Sequence, residues 1–157
     1  MIKVLFICHG NICRSTTAQW VFTEIVRKKG MESQFYIDSA ATSREEIGNP
    51  IYPPAKRKLE EKGVPVGEHR SVQVIKADYD EYDYLIIMDN RNRSMLSRII
   101  PDDPDKKIHT LMSFTGNDRE IADPWYTGDF ETAYREIEAG CKAFLSYCEE
   151  RMSTGSI

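Results

Sequence analysis

The residues in this chain whose types and spacing could do chemistry lie in one short segment, Cys8-His9-Gly10-Asn11-Ile12-Cys13-Arg14-Ser15. It has the form C-x5-R-S and joins an apolar run to a helical pattern. A strand-to-helix turn directs backbone N–H groups and the positive end of the helix dipole into one concavity, which suits a tetrahedral dianion. Arg14 adds a planar fork that holds two phosphate oxygens at once. Cys8, at the bottom of the loop, sits in the same positive field. A free thiol ionises near about 8.5, and a cation and a helix N-terminus lower that value, so Cys8 is expected to be a thiolate at neutral pH. Ser15 can donate a hydrogen bond to that sulfur, which would help it leave later. Gly10 and Asn11 tolerate the left-handed backbone that an inward-facing ring of amides demands. No G-K-[ST] is present, so nothing here implies a nucleotide or magnesium. Taken without its flanks, C-x5-R is a weak signal, and Cys8 would read as a small buried hydrophobe and Arg14 as a surface charge.

The flanks make the difference. Residues 2–7 are a continuous apolar run of strand length, as in a strand covered on both faces. After the loop, Ala18, Val21, Phe22, Ile25 and Val26 form a helical stripe that ends at Gly30, and Thr16 with Gln19 has capping-box spacing. Further along, 34–39 reads as a second strand, 41–54 as a loop and 55–62 as a short helix. A third strand follows at 83–88, then a helix opened by Asp89 and a fourth strand at 107–112. A polar loop covers 113–128, and a last helix starts near Asp129. Strands alternating with helices predict an α/β layered fold with a mostly parallel sheet. In such sheets the site lies beyond the carboxyl ends of the strands, so the corners at Cys8, Ser39 and Met88-Asp89 should converge.

Length and composition fit one compact domain. The 157 residues suit a single domain, expected over 1–152 with a flexible tail at 153–157. With 41% apolar and 29% charged residues the chain can bury a core, and its net charge of −4 argues against a general nucleic-acid binder. No apolar stretch is long enough for a membrane span, and no secretion signal is expected. The four cysteines therefore read as reduced thiols in a cytoplasm. The scattered His9, His69 and His109 and the lack of a C-x-x-C pair give no metal-ligand spacing.

Together, Cys8-x-Gly10-Asn11-x-Cys13-Arg14-Ser15 near the N-terminus and Asp123-Pro124-Trp125-Tyr126 far downstream resemble the signatures of the low-molecular-weight protein tyrosine phosphatases. Similarity also appears in Asp38-Ser39-Ala40-Ala41-Thr42-Ser43, Gly48, His69 and Met88-Asp89 with Asn92, so it spans roughly residues 2–145. The resemblance implies a three-layer sandwich with a four-stranded, mostly parallel, twisted sheet of order 2-1-3-4. It implies hydrolysis of phosphotyrosine and aryl phosphates through a phosphocysteine, with no cofactor. Cys8 would be the nucleophile, and Arg14 with the amides of His9 to Ser15 would hold phosphate. Asp123 would be the general acid, kept protonated by the nearby anions, although Asp-Pro by itself more often starts a turn.

Asn11 would brace the loop with Ser39 and His69 behind it, although His69 alone reads as an exposed loop histidine. Asp89 would orient the loop and also cap its own helix. Cys13 would be a redox partner able to form a disulfide with Cys8 and shield it from over-oxidation, the plainer reading being a small packed thiol. Trp125, Tyr126 and Glu45 would wall the substrate. The expected partners are phosphotyrosine proteins or peptides, with inorganic phosphate as product, and the state a monomer or weak dimer.

Several positions depart from the family pattern. Thr16 stands where Pro is common, Gln19 where Glu is, His9 where an apolar residue is usual, and Glu45 where a large aromatic often stands. These bear on peptide preference and not on reaction class. Two rivals remain at this point. A thioredoxin-coupled arsenate reductase would need a cysteine relay, but Cys141 and Cys148 fall on a buried helical stripe about 10 Å apart. A non-catalytic phosphate-binding module would not need an intact nucleophile, Arg and acid.

Overall fold

A computed structural model describes residues 1–155; the expected tail thus lies partly outside the described residues. Strand β1 (Ile2–Cys8) is followed by helix α1 (Arg14–Lys28), β2 (Phe35–Ala41), α2 (Pro53–Glu61) and the short α3 (Asp78–Glu81). Then come β3 (Tyr84–Ile87), α4 (Asn90–Leu96), β4 (Ile108–Thr110), the short α5 (Pro124–Thr127) and the long α6 (Phe130–Ser153). The four strands pair in parallel in the order β2-β1-β3-β4, as expected.

The central strand β1 explains the layering. Its alternate residues Val4, Phe6 and Cys8 join a core with α1 and α6, where Phe22 packs against Phe6, Phe35 and Phe144 at centroid distances of 5.2–5.8 Å. The intervening Leu5 and Ile7 join Leu85, Ile87, Tyr79, Leu96 and Ile100 on the opposite face. Burial on both faces is why the run shows no polar alternation. Because β2 lies on one side of β1 and β3 on the other, the strand order reverses at the ends of β1 and β3, the place where such sheets bind ligands.

Three expectations need correction. The Thr16–Gln19 capping box does not form: α1 begins at Arg14 with no side-chain cap, Thr16 Oγ1 donates back to Cys13 O at 3.0 Å, and Gln19 turns to Ser39. The first-turn amides are thereby left to face the loop. Strand β2 runs on to Ala41, because β1 pairs with it residue by residue from Ile2–Phe35 to Cys8–Ala41. Strand β4 stops at Thr110, since Leu111 and Met112 turn inward in a 3-10 helix (Leu111–Thr115) and Leu111 packs against Gly140 of α6.

Candidate active site

The loop between β1 and α1 curls around the Cys8 sulfur. Asn11 adopts φ 60°, the left-handed conformation the sequence anticipated at this position. Its side chain braces the curl: Asn11 Nδ2 donates to Ser15 Oγ at 2.8 Å, while Asn11 Oδ1 lies 2.8 Å from His69 Nε2. Ser39 Oγ donates to Gln19 Oε1 at 2.5 Å and therefore accepts from His69 Nε2 at 3.2 Å. These partners place a proton on His69 Nε2. The other ring nitrogen faces Asp38 Oδ1 at 3.3 Å.

A chain of donors follows, from His69 through Asn11 to Ser15. Because Ser15 Oγ accepts from Asn11, its own hydrogen is free for Cys8 Sγ, 3.0 Å away. The Ser15 N–H adds a second donor at 3.4 Å. Two donors, one side-chain and one backbone, thus converge on one sulfur at the start of α1.

Arg14 is buried, and its guanidinium is held from behind. One terminal nitrogen donates to Asp89 Oδ2 at 2.6 Å and to the Ile121 carbonyl at 2.7 Å, and the other lies 3.6 Å from Asp123 Oδ2. Burial opposes its charge, but Cys8, Asp89 and Asp123 outweigh burial and raise its pKa. Arg14 Nε is buried without a partner among the described residues, an orphan donor of the kind a bound oxyanion satisfies. Asp89 Oδ1 also caps α4, accepting from Asn92 N at 2.7 Å. Asn92 in turn accepts from Met88 N at 3.0 Å and fixes the end of β3.

Asp123 caps α5, with Oδ1 accepting from Trp125 N at 3.1 Å, and faces the same pocket as Cys8. The turn reading and the acid position are thus the same geometry. The pocket, about 460 Å³ with its open mouth included, is lined by Cys8, His9, Gly10, Ile12, Cys13, Glu45, Glu46, Asp123, Trp125 and Tyr126. Glu45, Trp125 and Tyr126 are among the lining residues, and His69, Ser39 and Asp89 lie behind the loop.

Sequence reasoning passed over three contributors. Ile121 anchors the segment before Asp123 through its N–H to Met88 O at 3.1 Å. Tyr52 donates its N–H to Ile12 O at 2.9 Å and its ring packs at a tilt against Trp125, centroids 4.6 Å apart, which ties the loop around Cys8 to the segment that carries Asp123. Glu46 packs over Gly10.

The other thiols differ in kind. Burial pushes Cys13 up, with Cys8 adding to the effect. Cys141 and Cys148 are fully buried, and burial raises both, Cys148 to about 12. All four are free thiols. Among the described residues no group of three or more His, Cys, Asp or Glu side chains is placed to hold a metal ion, and no helix is long and apolar enough to cross a membrane.

Comparison with known proteins gives one answer. A family model described as low molecular weight phosphotyrosine protein phosphatase matches residues 3–154. The low molecular weight protein-tyrosine-phosphatase YfkJ of Bacillus subtilis is 34% identical over 93% of this chain and 95% of its own. The low molecular weight phosphotyrosine protein phosphatase of Gallus gallus is 40% identical over 91% of this chain and 93% of its own. The crystal structure of YfkJ superposes with a TM-score of 0.92 at 33% identity, covering 96% of each chain. With sheet order, loop and acid segment all in the matched region, this chain belongs to the low molecular weight phosphotyrosine protein phosphatase family.

Proposed function

We propose that this chain hydrolyses phosphotyrosine and small aryl phosphates in two steps through a phosphocysteine on Cys8. The observation that carries this reading is the sulfur itself. It lies at a pocket floor with Ser15 N–H and O–H directed at it, and Arg14 and Asp123 are paired at the same site.

In the first step the Cys8 sulfur, as the anion, attacks phosphorus and the bond to the aryl oxygen breaks. Phenol ionises near about 10, so a bare phenolate leaves slowly, and protonated Asp123 supplies the proton. Arg14 and the amides of residues 9–15 take the three non-bridging oxygens, on which charge sits in the transition state. In the second step Asp123, now ionised, accepts a proton from water as its oxygen attacks phosphorus. The sulfur–phosphorus bond breaks, Ser15 receives the returning sulfur anion, and inorganic phosphate departs. Trp125 and Tyr126 supply apolar walls for the aromatic ring of a phosphotyrosine protein or peptide. We read residues 1–152 as the working domain, a monomer or weak dimer of the cytoplasm, where a thiol nucleophile stays reduced. When peroxide oxidises Cys8 to the sulfenic acid, Cys13, five residues away, attacks that sulfur, so that the S–O bond breaks, water leaves and a Cys8–Cys13 disulfide forms.

Cys8→Ser tests this reading. It should lower turnover of phosphotyrosine and phenyl phosphate by at least about 10⁴-fold while inorganic phosphate still binds. A variant that keeps turning over overturns it.

A further inference from the structure

His9 and Glu45, two residues that line the pocket, touch each other. His9 Nε2 lies 2.8 Å from Glu45 Oε2, across 36 positions of sequence. The contact has a firm mount. Thr42 N–H donates to Cys8 O at 2.9 Å, Ser43 N–H to His9 O at 3.1 Å, and Ser43 Oγ to the same carbonyl at 2.9 Å. The segment carrying Glu45 is therefore clipped to the backbone of the phosphate loop itself. Beside it Glu46 packs over Gly10 and accepts from Asn49 Nδ2 at 2.6 Å. The His9 side chain is largely covered, at 15% exposure, while that of Glu45 is 69% exposed. One carboxylate oxygen is held and the group is presented to solvent at the pocket lip.

We propose that Glu45, steered by His9, is a specificity-determining residue that selects phosphotyrosines flanked by lysine or arginine. The proposal rests on the phosphotyrosine reading above. With phosphate fixed at Cys8 and the ring inside the pocket, the residues on either side of the phosphotyrosine leave across the lip. There they meet the carboxylates of Glu45 and Glu46. A basic side chain gains a partner at a fixed position, and an acidic one meets like charge. The net charge of −4 acts in the same direction at longer range. The floor handles the phosphate whatever its carrier, so the lip is where peptides are told apart.

The test compares kcat/KM for two phosphotyrosine peptides of equal length, one with lysine and arginine on both sides of the phosphotyrosine and one with aspartate and glutamate. Phenyl phosphate is measured alongside. Wild type should prefer the basic peptide about fivefold at low salt, the upper end for exposed charge pairs, and the preference should shrink toward one at high salt. Glu45→Gln should lower the ratio to the smaller preference that Glu46 and the net charge supply, and Glu45→Lys should bring it to one or below. Because both peptides share the chemical step, the ratio is insensitive to general loss of activity. A wild-type ratio of one, or a ratio that survives Glu45→Lys, overturns the proposal. If phenyl phosphate and both peptides are left intact by wild type, the phosphotyrosine reading itself has failed.

Discussion

The floor and the lip of the pocket are built differently. At the floor Asn11, Ser15 and Ser39 are buried and joined with His69 and Cys8 into one polar network with bonds of 2.8–3.2 Å, and buried Arg14 is held beside it by Asp89 and the Ile121 carbonyl. In a low-dielectric setting such groups act together, and removing one leaves others unpaired. At the lip Trp125 is 47% exposed and Tyr126 69% exposed. Contacts there are single and partly screened. Floor substitutions should therefore damage chemistry in large steps, and lip substitutions should shift selection in small ones.

The contrast can be broken from the floor first. Arg14→Lys keeps the charge but loses the fork that reaches Asp89 and the Ile121 carbonyl, so kcat should fall about 10³-fold in steady-state assays. Asp123→Asn should slow phenyl phosphate about 10²-fold, and slow much less those aryl phosphates whose phenols are acidic. Equal slowing on both would remove the general-acid role. Asn11 separates backbone from network. Asn11→Gly keeps the left-handed turn and loses only the side-chain bonds, with kcat down about tenfold. Asn11→Ala adds about 1–2 kcal/mol of backbone strain, visible as a lower urea midpoint than that of the glycine variant. At the lip, Trp125→Ala removes the ring packed against Tyr52 and should raise KM for a phosphotyrosine peptide about threefold, with the loss carried more in KM than in kcat.

Legibility in the sequence follows the same division. The floor could be read because its residues are contiguous and each type has a local reason: Gly10 and Asn11 for the curl, Arg14 for the fork, the apolar run before them for a strand buried on both faces. The cap that Asp89 supplies to α4 could be read locally, whereas its bond to Arg14, 75 positions away, could not. The roles of Ile121 and Tyr52 could not, because both act through backbone atoms and ring faces whose partners lie far away in the chain. Thr16 and Gln19 misled for a related reason. Their spacing fits a local cap, but Gln19 is taken by Ser39, 20 positions away. His9 and Glu45 were each visible as departures, and only folding shows that they are one contact.

The central claim is that the Cys8 sulfur carries the phosphoryl group. Rapid mixing with phenyl phosphate, acid quenching and peptide mapping test it most directly. The account predicts a stoichiometric burst of phenol together with phosphate on the peptide that contains Cys8, both absent in Cys8→Ser. Phosphate turnover with no labelled cysteine and no burst, retained in Cys8→Ser, would contradict it.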